Sequence, residues 1–404
     1  MSALAPLPEA SYREGPYAAL AAAARAALQG NVVESSGARG LAAGANQFRS
    51  LWTRDFAHAA EGLRLAGLSG VLREHLDLLL DRLHPENGLL PRTLDSMDAK
   101  LRVAWASAAR LLPGASPALA MGPELRPEYR DQHGQFAIDG NALVVLAALR
   151  YAETEGEDEW LAARRETLER ALAAYRRWLR DGLVRQPPFS DWQDSVRRAG
   201  QAFYTNLLVH LAARALAARG GAVPTAFLAP LRALLHERFL GPEGLYRSLV
   251  GRPHVSLDGN LLALDHGLVG GEAAGRLYAA LRASPFWRGE APGWNTYPDW
   301  PRSWRNPGVL LAGLGHYHDR IPWSWLTALA AKVALGQGDR EGAARCLDAL
   351  ARRVARDGAV VEIYDAEPPH RPFRSLLYRS EAPFSWGAGR TLEAVAAWRA
   401  AGPE

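Results

Sequence analysis

One cysteine, Cys346, is all that the 404 residues contain. No intramolecular disulfide can form, and a lone thiol in an apolar, basic helical stretch serves packing more often than nucleophilic attack. Lysine is nearly missing as well: Lys100 and Lys332 are the only two, and the remaining positive charge is arginine interleaved with acids. With a formal net charge of +4 and no basic tract, the chain carries no footprint of a nucleic-acid partner. No uninterrupted apolar run approaches the ~18 residues of a membrane span, and residues 1 to 15 lack the basic start and apolar core of a secretory signal. A soluble, cytoplasmic protein is the reading these absences leave. Linker-like stretches are also lacking, so the chain reads as one domain, 1–404, whose 48% apolar content suffices for a large core.

Strand alternation is scarce, whereas helical spacing recurs at 17–29, 54–67, 71–84, 98–111, 138–154, 157–181, 199–219, 224–239, 257–269, 271–284, 321–336, 338–356 and 385–401. Several of these segments pair a small-residue-rich apolar stretch (Asn141 to Tyr151, Leu257 to Leu268) with one striped by arginine and glutamate (Glu159 to Arg180, Gly271 to Arg282). A helix covered on both faces beside a helix with one wet face produces that contrast. About a dozen such helices, alternating inside and outside, predict an all-α fold, a six-hairpin (α/α)6 toroid. Loops at one end of its inner helices would collect the polar and aromatic residues. The irregular stretch 286–307, with Trp287, Trp294, Tyr297, Trp300 and Trp304, is predicted to be an ordered loop capping that end.

Two acidic clusters stand at such junctions. Ser190-Asp191-Trp192-Gln193-Asp194 precedes Arg197 and Arg198, and Val361-Glu362-Ile363-Tyr364-Asp365 runs into the proline turn Glu367-Pro368-Pro369-His370. Carboxylates on two separate elements, in a chain with 13 tryptophans, point to glycoside hydrolysis, where one acid protonates the leaving oxygen and the other activates water. Asp194 is the candidate acid, because burial against Trp192 would raise its pKa; alternatively Asp191 or Asp194 caps a helix beginning near Ser195. Glu362 is the candidate base, with Asp365 and Glu367 as rivals and an outward-facing strand position as the plain alternative. Arg54 and Asp55 either clamp sugar hydroxyls or form a helix-terminal salt bridge. Asp139, before Gly140-Asn141, is an N-cap, a hydroxyl ligand or both. Trp323 and Trp325 line a pocket or fill the core. His316 and His318 stand two apart without a third ligand at metal spacing, so no metal site is expected.

In their order along the chain these motifs resemble the catalytic domain of glycogen-debranching amylo-α-1,6-glucosidases, and more distantly the neutral/alkaline invertases and inverting α-glucosidases of the same toroid clan. The resemblance spans residues 45 to 400. Trp52-Thr53-Arg54-Asp55 is similar to the family's early Arg-Asp motif, Ile138-Asp139 to its Asp motif, and Trp192-Gln193-Asp194 to the Trp-Met-Asp that carries the acid. Asn206 falls at an Asn of the next inner helix, and Tyr317-His318-Asp319 with Trp323-Ser324-Trp325 resembles Tyr-His-Asn followed by Trp-Pro-Trp. Glu362-Ile363-Tyr364-Asp365 with Pro368-Pro369-His370-Arg371-Pro372 is the nearest match and puts the family's base on Glu362. The chain departs from the pattern at Tyr204, where debranching relatives carry Glu, at Ala366, which replaces a Gly, and at Ser385-Trp386, displaced from Trp-Ser.

The resemblance implies an inverting, exo-acting hydrolase of a short soluble α-glucoside, with Asp194 as acid, Glu362 as base and neither metal nor organic cofactor. Around the sugar it implies Trp52, Arg54, Asp55, Asp139, Trp192, Gln193, Tyr204, Asn206, His318, Trp323, Trp325, His370, Arg371 and Trp386. Within the same class the alternatives are an invertase-like sucrose hydrolase and a hydrolase of a glucosylated or mannosylated small solute. From other classes come a sugar epimerase using His316, His318 and His370, and a sugar-binding toroid without catalysis.

Overall fold

The computed structural model describes residues 4–35, 37–287 and 289–402. Among these, the α-helices are α1 (Ala18–Gly30), α2 (Thr53–Leu65), α3 (Ser69–Leu80), α4 (Ala99–Ala109), α5 (Asp139–Glu155), α6 (Asp158–Ala173), α7 (Phe203–Ala218), α8 (Ala229–Phe239), α9 (Leu257–Asp265), α10 (Gly271–Ala283), α11 (Pro307–Leu311), α12 (Ser324–Gly336), α13 (Arg340–Asp357) and α14 (Ser385–Ala400). They separate by burial as their composition demands. Helices α5, α7, α12 and α14 bury most of their circumference and α9 buries all 9 of its residues, whereas α6, α10 and α13 bury one stripe and turn arginine and glutamate outward.

Contacts run from α2 to α5, α5 to α7, α7 to α9, α9 to α12, α12 to α14, and from α14 back to α2, a closed cycle of six buried helices. Outside it, α3 packs on α2 and α5, α6 on α5 and α7, α8 on α7, α10 on α9, α13 on α12, and α1 on α14. The cycle closes through glycine: a Cβ on Gly62 would stand 2.3 Å from the Cα of Gly389, and one on Gly389 would stand 2.6 Å from the Cα of Ala59. Apart from a small second cluster of Val196, Ala202, Leu249 and Trp300, most buried apolar residues between Tyr12 and Ala396 form one core. Cys346 lies in it, its thiol pushed up to about 12 by burial, as a packing residue.

A tripeptide that occurs twice in the sequence has the same structural role both times. Asp139-Gly140-Asn141 opens α5, and Asp258-Gly259-Asn260 opens α9. In each, the glycine lets the first residue of the preceding buried helix come close: a Cβ on Gly140 would stand 3.3 Å from Thr53, and one on Gly259 would stand 2.7 Å from Phe203. The asparagine pins the connection before its own helix. Asn141 Oδ1 accepts from Leu90 N (2.9 Å) while Nδ2 donates to Gly88 O; Asn260 does the same with the N–H and C=O of Tyr246, at 2.8 and 2.9 Å. Asn206 on α7 repeats this with the N–H and C=O of Val184, at 2.7 and 2.9 Å.

Short antiparallel pairings hold the N-terminal ends of the buried helices. Thr93–Asp95 lies between Leu51–Trp52 and Arg126–Glu128, in the registers Leu51 with Leu94 and Thr93 with Glu128. Leu183–Gln186 lies between Leu179–Arg180 and Gly200–Gln201, and Val255–Ser256 pairs with Thr296–Tyr297. These pairings account for most boundaries that helical spacing misplaces. The pattern 157–181 ends as helix at Ala173 and continues as a 3-10 turn, Ala174–Trp178, and then a strand. The pattern 199–219 starts at Phe203, and 321–336 starts at Ser324, because Trp323 is extended and bridged to Ile363. Helix α11, inside no predicted segment, begins where Asn306 caps Gly308 N at 2.8 Å with Pro307 at the first helical position. Of the predicted loop 286–307, Arg288 lies outside the described residues. Elsewhere in that loop Trp300 is fully buried and donates to Gln193 Oε1 at 2.8 Å.

Candidate active site

Helix α2 begins one residue after the Leu51–Trp52 strand, so Arg54 projects from its first turn into the ring. Its guanidinium grips Asp139, the first residue of α5, through two bonds of 2.7 and 3.1 Å, and gives its third nitrogen to Asp194 Oδ2 at 3.1 Å. Arg54 therefore pairs with Asp139 and Asp194, not with its neighbour Asp55. Asp55 is half-buried, pairs with no cation among the described residues, and is raised to about 7 by burial, with the nearby charges of Glu362 and Asp194 adding to the rise.

Asp194 sits on an irregular turn. No helix begins near Ser195; α7 starts only at Phe203, so neither Asp191 nor Asp194 is a helix cap. The turn is held by the buried pair Asp191–Arg198 at 2.6 Å, by Gln186 donating to Asp191 at 2.6 Å, and by Asp191 accepting from Gln193 N at 3.0 Å. The side chain of Asp194 is 35% exposed, the open member of the group. Its carboxyl is raised above the ordinary range by desolvation, which outweighs the opposing charges of Arg54 and Arg92.

Glu362 faces inward, 1% exposed, which removes the outward-facing alternative. Tyr317 donates to its Oε1; Tyr378 (2.5 Å) and Glu381 N (3.1 Å) donate to its Oε2. Burial raises it to about 7 against the pull of these donors. Glu381 is buried beside it and is itself held by Asn46 N, Asn46 Nδ2 and Phe48 N. The rivals lie past the Tyr364–Pro372 bridge, Asp365 half-buried and Glu367 exposed on the proline turn. His370 and Arg371 are on the same turn, which Arg356 of the outer helix α13 holds through the carbonyls of Pro369 and His370. Those two residues are not gathered with the rest.

Between the two carboxylates stands an aromatic wall. Tyr317 packs on His318 and Trp323 at 4.7 and 4.8 Å, and His318 Nε2 is 3.9 Å from Asp194 Oδ1. His318 stacks on Trp323, is held neutral by burial, and among the described residues has a hydrogen-bond partner on neither ring nitrogen. Trp192 meets His318, Trp323, Trp325 and Trp386 edge to face, and its N–H donates to Asp258 Oδ2 at 2.7 Å. Asp258 is fully buried and raised to about 6 by that burial. Trp325 and Trp386 stack at 4.4 Å behind Trp192, fully buried, so they support the wall from the core side.

Two expected sugar ligands are occupied by the protein. Gln193 accepts from Trp300 and donates to Thr296 at 3.2 Å, and Asn206 is the pin on Val184. Three residues of the site carried no signal at the level of motif. Tyr378 and Glu381 lie beyond the proline turn, and Arg92, on the loop entering the Thr93 strand, stacks over Trp52 at 4.6 Å with its buried Nη1 unpartnered. Nothing in local spacing marks them: Tyr378 and Glu381 fold back onto Glu362 from 16 and 19 residues along the same connection. Asp299, His316 and Asp319 bring ligand atoms within 4.8 Å of one another, but Arg320 already pairs with Asp299 at 2.8 Å and Arg305 with Asp319 at 2.7 Å.

No protein-family model matches the chain, and no curated protein matches it. Solved structures do. A structure described as "Glycosidase Wild Type" aligns with TM-score 0.64 at 18% identity, over 94% of this chain and 96% of that one. The GH63 mannosylglycerate hydrolase from Thermus thermophilus, in complex with glucose, aligns with TM-score 0.60 at 18% identity, over 92% and 99%. A rhamnosidase from Klebsiella oxytoca with rhamnose bound aligns with TM-score 0.60 at 16% identity, over 93% and 62%. The fold is shared with glycosidases. A cavity of about 760 Å³ lies away from the two carboxylates, among the C-terminal halves of the buried helices, with Lys332, Arg390 and Glu393 in its wall.

Proposed function

We propose that the closed helical cycle is an (α/α)6 barrel and that the protein is an inverting, exo-acting hydrolase of a short α-glucoside. The observation that carries this is two carboxyl groups of different exposure, Asp194 at 35% and Glu362 at 1%, linked through Tyr317 and His318. Asp194 is partly open, raised above the ordinary carboxyl range by desolvation, and bonded by one guanidinium nitrogen; in this reading it protonates the glycosidic oxygen. Glu362 is deep and faces three donors. An ionised carboxylate offers about four acceptor positions, so Tyr317, Tyr378 and Glu381 N leave one on Oε1 for the attacking water. Both proton transfers are carried by these two side chains. Asp55 and the Arg54–Asp139 pair hold hydroxyls of the terminal sugar, and Trp192, His318 and Trp323 wall it.

Reducing-sugar release from a panel of α-linked disaccharides tests the activity. Asp194→Asn keeps the shape but cannot donate, so turnover should fall by about 10²–10⁴-fold with glucose binding and melting temperature retained; near wild-type turnover would sink the assignment. Proton NMR in the first minutes of hydrolysis should show the β-anomer, since water held by Glu362 on the face opposite the leaving group inverts the centre. Early α-anomer removes Glu362 as base.

Arg92 favours a second reading. Its guanidinium carbon lies over the Trp52 ring, its buried Nη1 has no partner among the described residues, and its charge acts on Asp194, a position suited to an acidic group on the leaving half of a small solute. The Thermus thermophilus neighbour is named for such a solute. Arg92→Met should then raise KM for a glycosylated hydroxy acid and leave a neutral disaccharide untouched; equal effects on both return the neutral substrate.

A further inference from the structure

On α2, His58 follows Arg54 by four residues and lies one turn further along the same face. His58 Nδ1 is 2.9 Å from Arg390 Nη2 of α14, and Nε2 is 3.0 Å from the hydroxyl of Tyr204 on α7. The ring lies flat on Trp386, 4.4 Å away at 5°. Arg390 donates in turn to Glu393 at 3.0 Å, and Lys332 bridges Glu393 (3.0 Å) to Asp265 (3.0 Å). This column of buried polar groups runs from the wall of the 760 Å³ cavity to the Arg54 end of the site. Lys332, one of only two lysines, supplies a compact charge that can serve both carboxylates.

The order of hydrogens along the column follows from valence. A guanidinium has donors and no acceptor, so His58 Nδ1 accepts from Arg390. Burial, with Arg390 and Arg54 nearby, keeps the ring neutral. Its single hydrogen is then on Nε2, and Nε2 donates to the oxygen of Tyr204. The Tyr204 hydrogen cannot point back at a donor, and among the described residues no other protein group hydrogen-bonds this hydroxyl. A buried O–H without an acceptor is costly, and Tyr204 is 1% exposed.

We propose that Arg390 and His58 are positioning residues that make Tyr204 a one-way hydrogen-bond donor to an oxygen of the sugar bound beside Arg54 and Asp139. This rests on the sugar-site reading above, and its test separates the two. In the full chain with 15N-labelled histidine, His58 should appear as the Nε2–H tautomer; an Nδ1–H tautomer or an imidazolium overturns the proposal. Glucose binding is then measured by calorimetry in the Asp194→Asn background, beside the melting temperature of each variant. Tyr204→Phe and His58→Leu should each weaken binding about tenfold, and the double variant should be no weaker than either. His58→Gln, which can accept from Arg390 through Oε1 and donate through Nε2, should recover most of the loss. Unchanged affinity in folded His58→Leu, or additive losses in the double variant, overturns the proposal. If the parent binds no sugar, the sugar-site reading falls and the role of Tyr204 falls with it, whatever the tautomer.

Discussion

At Glu362 burial and hydrogen bonding pull in opposite directions, and burial prevails: the carboxyl rests at about 7 although two phenols and a backbone N–H stabilise its ionised form. The base proposed above must be ionised, so activity should climb through about pH 7. Tyr378→Phe removes one donor to the charged form and should shift that rise upward by about one unit, read from the pH dependence of kcat/KM; a downward shift would exclude Glu362 as the titrating base. The same balance affects stability. The folded value lies above the 4.5 of an ordinary glutamate, so the protonated form is favoured by the fold. That contribution is complete below pH 4.5 and is lost as pH rises toward 7. Glu362→Gln mimics the protonated group, its amide able to donate to Tyr317. It should be more stable than the wild type at pH 8, by roughly 3 kcal/mol at most, and equal to it below about pH 4, as measured by urea unfolding. A destabilised variant at pH 8 would show that the carboxylate is better accommodated than burial implies.

Within the buried helices, Asn141, Asn206 and Asn260 perform one structural task, each closing an N–H and a C=O of the connection that precedes its helix. The resemblance puts Asn206 at the sugar; its donors and acceptor are instead spent on Val184 and Ala202. Asn206→Ala should therefore cost about 2–4 kcal/mol, because it leaves a buried N–H and a buried carbonyl unpaired, while the folded fraction binds sugar with unchanged affinity. Lost sugar affinity at full stability would restore the ligand role. The Asp of each Asp-Gly-Asn is free for other work, Asp139 on Arg54 and Asp258 on Trp192. One tripeptide thus combines a pin, a close helix contact and a charged group facing inward.

For the whole molecule the decisive contact is the one that joins first to last, α2 against α14, where Gly62 and Gly389 let two backbones touch. An exposed helical Gly→Ala change gains about 1 kcal/mol, yet here the new methyl has backbone in its place. Gly389→Ala should destabilise by roughly 1–3 kcal/mol or more and also reduce activity, because Arg54 and His58 ride on α2 and Arg390 on α14. Thermal unfolding with parallel activity measurement checks this; a stabilised, active variant would mean that the helices separate there without consequence.

The sequence by itself determined the helical alternation, since solvent on one face of α6, α10 and α13 and on neither face of α9 leaves a local periodic trace. It also placed Arg54, Asp55, Asp139, Asp194 and His318 at helix entries and turns, where side chains with little helical periodicity stand out. Only the tertiary structure decided who pairs with whom. Arg54 passes over its neighbour Asp55 for carboxylates 85 and 140 residues away, and Tyr378 reaches Glu362 from beyond the proline turn. His370 and Arg371, on the proline turn a few residues after Glu362 in the chain, are not gathered with the site. The physical reason is that pairing and desolvation depend on distance through space: ring closure brings distant segments within hydrogen-bond reach, and the burial it creates raises the carboxyls of Asp55, Asp194 and Glu362.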